Sequence, residues 1–100
     1  MSRKIFEIPL KMASSWTEWL PPDIQFLAAA CVEGEGPMLY YSSSQADRGP
    51  DWTPWEFLMV SSGGTLPDGR PVFRLGAFQV SPRQRPWFVY ARRLEVEYVL

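Results

Sequence analysis

The side chains able to drive a reaction are few and ill assorted. The chain has 11 carboxylates and 10 basic residues, no histidine, and one cysteine, Cys31. Without histidine, the commonest general base and the commonest nitrogen ligand for a metal are both missing. Serine–histidine and cysteine–histidine nucleophile systems are excluded outright. One thiol with no imidazole cannot hold zinc in a Cys/His site. What remains is acid–base work by paired carboxylates, for which the candidates are Glu33 with Glu35, Asp47 with Asp51, and Glu95 with Glu97. Glu33 and Glu35 flank a turn glycine, while Glu95 and Glu97 share one face of an alternating segment, where carboxylates are normally solvated. Gly63-Gly64 is too short for a phosphate loop and lacks that loop's lysine. The expectation is a protein that is no enzyme and carries no metal or cofactor.

Binding chemistry is better supplied. There are five tryptophans: Trp16, Trp19, Trp52, Trp55 and Trp87. Trp55 and Trp87 lie in apolar runs and are expected in the core. Trp16, Trp19 and Trp52 lie in turn-rich or polar segments, and an exposed tryptophan is a typical interface anchor. The competing reading is that they cover the open ends of a barrel. A second candidate is the run from Arg83 through Arg85, Pro86 and Trp87 to Arg92 and Arg93, where four arginines interleave with aromatics. Arginine pairs with carboxylates or phosphates, and aromatic faces stack on rings. The competing reading is a strand with aromatics inward and arginines outward, balanced by Glu95 and Glu97. The partner-binding candidates are therefore Trp16, Trp19, Trp52, Arg83, Arg85 and Trp87.

The elements that must position these residues are read from period-two patterns and turn residues. Residues 4–10 alternate, with Phe6, Ile8 and Leu10 on one side and Pro9 marking an edge or an end. Residues 16–20 read as a short strand, with a capped helix from Ser14 or Ser15 as the alternative. After the Pro21-Pro22-Asp23 turn, the apolar segment 24–33 and residues 38–41 flank Glu33-Gly34-Glu35-Gly36-Pro37, a turn of hairpin length. A helix over residues 23–32 is the alternative there. Residues 42–54 form a long polar loop containing Trp52, and long loops in compact domains tend to be functional or mobile. Residues 55–60 are apolar on both faces and read as a central strand. Turn signals at Gly63-Gly64 and Pro67-Asp68-Gly69 precede a strand over 72–80, whose Gly76 suggests a bulge or a close backbone crossing. Strands over 87–92 and 93–100 close the pattern. Six or seven short strands at this spacing predict a mostly β fold, a small antiparallel sandwich or partly open barrel. One short helix, and with it an α+β class, is the alternative.

Composition agrees with a single domain over residues 1–100. The apolar fraction of 46% is enough for a core without disulfides or metals. Cys31 follows Ala28-Ala29-Ala30 and is expected to be a buried structural thiol. The net charge of −1 gives neither the field that attracts nucleic acid nor that of a nucleic-acid mimic, so nucleic acid is not expected as the main partner. No apolar run reaches membrane-helix length and the N-terminus does not read as a signal peptide, so a cytoplasmic, membrane-free protein is expected.

The order of motifs resembles a family of small uncharacterised bacteriophage proteins of about this length. The resemblance rests on Lys4-Ile5-Phe6-Glu7-Ile8-Pro9-Leu10, Trp19-Leu20-Pro21, the strands Gln25-Phe26-Leu27-Ala28-Ala29-Ala30 and Met38-Leu39-Tyr40, then Phe57-Leu58-Met59-Val60 and Leu66-Pro67-Asp68-Gly69. It closes on Leu75-Gly76-Ala77-Phe78 and Phe88-Val89-Tyr90-Ala91, where the family's threonine and histidine are replaced by Ala77 and Ala91. The resemblance implies a phage or prophage origin and supplies no activity. Taken with the aromatic surplus, it leads to the expectation of a phage accessory protein that binds and inhibits a host protein, such as a CRISPR effector or another defence component, in the bacterial cytoplasm. The alternatives are a domain that sequesters a nucleotide or other small molecule, and a virion or assembly component that pairs with itself through a sheet edge.

Overall fold

The computed structural model describes residues 2–67 and 72–94. It is all-β. The strands are β1 (Lys4–Pro9), β2 (Ser15–Leu20), β3 (Gln25–Val32), β4 (Gly36–Ser43), β5 (Thr53–Ser61), β6 (Phe73–Phe78) and β7 (Trp87–Arg93). No helix occurs among the described residues. Both segments in which a helix competed are therefore extended. All pairs are antiparallel and fall into a three-stranded sheet, β1-β4-β3, and a four-stranded sheet, β2-β5-β7-β6. The two sheets face each other as an open sandwich and do not close into a barrel.

Period-two alternation decides which residues fill the space between the sheets. On the three-stranded side, Ile8, Leu39 and Ala29 stand abreast in the ladder. On the four-stranded side, Trp16, Phe57, Ala91 and Phe73 form one row. Leu20, Leu39, Phe57, Met59, Leu75, Phe78, Val89 and Ala91 are the buried heart of the core. The central strand β5 carries Phe57 at full burial, and truncating such a ring to alanine typically costs about 3–5 kcal/mol. The core is stitched by edge-to-face rings, Trp16 on Phe57 at 5.4 Å and Phe26 on Trp55 at 5.3 Å.

Two local devices shape the sheets. The β3–β4 hairpin turns through Gly34 and Gly36, both at positive φ, where a side chain would be strained. Between β3 and β6 the backbones nearly touch. A Cβ placed on Gly76 would lie 3.0 Å from the Ala29 nitrogen and 3.1 Å from its Cβ. The ladder shifts register between Arg74 and Gly76 as well, so the glycine marks both a bulge and a close crossing.

One expectation is overturned. Cys31 is exposed, not buried, as are its neighbours Ala28 and Ala30. The reason is position: β3 is an edge strand, and Cys31 stands opposite Pro37 near the hairpin end, clear of the core. The final strand expected over residues 93–100, with Glu95 and Glu97, lies outside the described residues beyond Leu94, as does most of the Pro67-Asp68-Gly69 turn.

Candidate functional site

The tryptophans divide by strand parity. Trp16 and Glu18 point between the sheets, and Trp19 points out. Trp16 is half-buried against Phe57, and its indole nitrogen has no hydrogen-bond partner among the described residues. It belongs to the packing rather than to the surface. Glu18 faces inward on the neighbouring position. Burial, assisted by the Glu18 charge, raises the Tyr41 hydroxyl pKa above its ordinary value.

Trp19 is 41% exposed on the outer face of β2, and the Arg48 guanidinium lies over its ring at 4.7 Å. Arg48 comes from the loop between β4 and β5, and that loop is held by a chain of hydrogen bonds that starts far away in sequence. The Arg3 guanidinium donates to the Asp23 carbonyl at 2.7 Å and the Ser42 carbonyl at 2.8 Å, and it pairs with the Asp23 carboxylate at 3.3 Å. Asp23 accepts from the Ser43 hydroxyl at 2.6 Å and from the Ser44 N–H at 3.0 Å. The Ser43 oxygen, fully buried, accepts in turn from the Gln45 N–H at 2.9 Å. Gln45 Oε1 then accepts from Trp52 Nε1 at 2.9 Å. Hydrogen bonds from the two serines, with a smaller contribution from Arg3, hold the Asp23 carboxyl far below the usual carboxylate range. An ionised, over-supplied acceptor at the β2–β3 turn thus fixes the root of the loop that carries Arg48 and Trp52.

The other arginine–tryptophan group lies elsewhere. Trp87 pairs with Ser61, at the opposite end of β5 from Trp52 and Trp19, which is opposite Pro54. At 3.3 Å per residue the two groups are about 23 Å apart. Arg83 and Arg85 are exposed in the turn before β7, which is held by Gln84 N–H on the Ser81 carbonyl at 3.0 Å and by Arg83 N–H on the Ser81 hydroxyl at 3.3 Å. Trp87 itself is half-buried against the core. Five of the six candidates therefore fall on two separate surfaces, and Trp16 lies in neither.

Between the two ends runs the outer face of the four-stranded sheet. Here Arg92 grips one oxygen of Glu56 with both Nε and Nη2 at 2.7 Å, a half-buried pair. Beside it a groove of about 490 Å³ is bordered by Ser15, Leu58, Val60, Leu66, Glu56 and Arg92. Arg92 thus turns outward, as one reading of its segment expected, and pairs with Glu56, while Glu95 and Glu97 lie outside the described residues. Sequence reasoning missed Asp23, Gln45 and Arg48. Only Asp23, as an acid closing a Pro-Pro turn, carried any local signal.

Among the described residues no group of carboxylates and cysteine is placed to hold a metal, and no helix is long and apolar enough to cross a membrane. The architecture defines the class: an open antiparallel β-sandwich of three and four strands with an aromatic–arginine surface. No family model, curated protein or solved structure matches the chain.

Proposed function

We propose that this is a non-catalytic accessory protein of phage origin that binds and inhibits a host protein, with a defence component such as a CRISPR effector as the target. The observation that carries the reading is Trp19. It is a large ring left in solvent on a rigid strand and already held under a guanidinium. Tryptophan and arginine are the side chains most enriched at binding hot spots. A ring whose orientation is fixed before binding loses less entropy on docking. The near-neutral charge favours a partner recognised by shape and aromatic contact, and the likeness to small phage proteins supplies the biological setting.

The test is retention of host protein on the immobilised chain, coupled to phage plating on a host with active CRISPR defence. One host protein should be retained in stoichiometric amount by wild type, and phage should escape restriction. Trp19→Ala should weaken that retention by about 30-fold or more, the scale of a hot-spot residue. Retention unchanged by Trp19→Ala, or unrelieved restriction, would remove the proposal.

A further inference from the structure

A second recess opens between the two sheets, where β3 and β6 run side by side. It measures about 470 Å³ and is walled by Phe26, Trp55 and Phe73, with Ile24, Leu75 and Arg74 around them. The size falls in the range of small-ligand pockets. Trp55 stands at the centre of the wall, 5.3 Å from Phe26 at 79° and 6.0 Å from Phe73 at 56°. Phe73 is 54% exposed, a high value for phenylalanine, so one ring face meets solvent at the mouth. A flat ring entering here gains aromatic contact on several sides.

The charges select the kind of ring. Among the described residues no carboxylate borders the recess, whereas Arg74 does. Arg93 stands opposite Trp55 in the ladder, on the same face. Glu18 stands opposite Trp55 on the other flank, outside the lining, and lies near Tyr41. Three aromatic walls alone would also suit a cation, but an arginine at the lip opposes one. Arg74 is exposed on the edge strand β6 and borders the recess, while its guanidinium rests 5.9 Å from the Phe88 ring on the outer face, a contact that an anion at the mouth would have to compete with.

We propose that this recess binds a planar aromatic anion, its ring against Trp55 between Phe26 and Phe73 and its acidic group toward Arg74. The site is distinct from the Trp19 surface, which lies on the outer side of the sheet.

The experiment titrates the folded protein with the dye anilinonaphthalene sulfonate, followed by its emission, and then displaces the dye with indoleacetate or with tryptamine. Saturable binding at one site per chain is expected. Phe73→Ala should weaken it about tenfold, the upper range of an aromatic pair, and Arg74→Glu about fivefold, as for a partly exposed ion pair. Indoleacetate should displace the dye and tryptamine should not. Trp19→Ala should bind the dye like wild type, which separates this site from the partner surface. Both Phe73 and Arg74 are exposed, so unchanged melting of the variants is the accompanying control. Non-saturable emission, wild-type affinity in Phe73→Ala, or equal displacement by tryptamine would overturn the proposal.

Discussion

The two ends of the four-stranded sheet carry the same residue types and are built in opposite ways. At one end Arg48 lies over the Trp19 ring and Gln45 holds the Trp52 indole, and Gln45 is tied through Ser43 to Asp23 and Arg3. At the other, Arg83 and Arg85 stand in a turn tied by short local hydrogen bonds, beside a Trp87 that packs inward. Composition cannot distinguish them. What differs is long-range polar scaffolding: the first end joins residues 3, 23, 43, 45 and 52, while the second stays within residues 79 to 84. Side chains held in place before docking lose less entropy on binding, and among the described residues it is the first end that is held by contacts distant in sequence.

The sharpest way to break the contrast is Ser43→Ala. It deletes a fully buried hydroxyl that donates to Asp23 and accepts from Gln45, and such losses cost about 1–3 kcal/mol. Urea unfolding should show the loss, and emission from Trp52 should report a loosened loop even where the fold persists. Acid should act on the same end. Because the Asp23 pKa is lowered on folding from the ordinary 3.8, its contribution is complete above that value and is lost as pH falls through the folded value. Melting temperature should therefore decline below about pH 4, and Asp23→Asn should flatten that part of the profile while lowering stability at neutral pH. A profile with the same slope in the variant would mean that Asp23 is not the fastener. Arg48→Ala should cost less, about 0.5–1 kcal/mol from one cation–π contact, and should free the Trp19 ring, visible as a shift of its indole N–H resonance. Smallest of all, Arg83→Ala and Arg85→Ala should each change stability by no more than about 0.5 kcal/mol, as exposed turn positions do.

Much of the fold was legible because the strands announce themselves by alternation or by an apolar run, with a turn residue at the end. Pro9, Pro21-Pro22 and the Gly34–Gly36 turn bound strands at or close to their true limits. Gly76 carried both meanings read into it. Parity could have gone further: Trp16 and Trp19 are three apart, so a strand must send them to opposite faces. What the pattern could not carry is neighbourhood. Ala28 to Cys31 reads as interior, yet β3 ends a sheet, and edge position follows only from the strand order β1-β4-β3. The Asp23 relay links four separate stretches of chain, and no local spacing encodes it. The separation of Trp19 from Arg85 likewise depends on which end of β5 each strand meets.

At Gly76 the layers come close enough that a side chain would sit tight against the backbone of Ala29. That makes one backbone position a spacer gauge for the whole molecule. Three residues along each strand lie Phe26 and Phe73, at the mouth of the aromatic recess. A methyl group at Gly76 would press on Ala29, and the contact between β6 and β3 would have to give by a few tenths of an ångström. The closeness of the two strands beside the recess therefore depends on a residue that has no side chain.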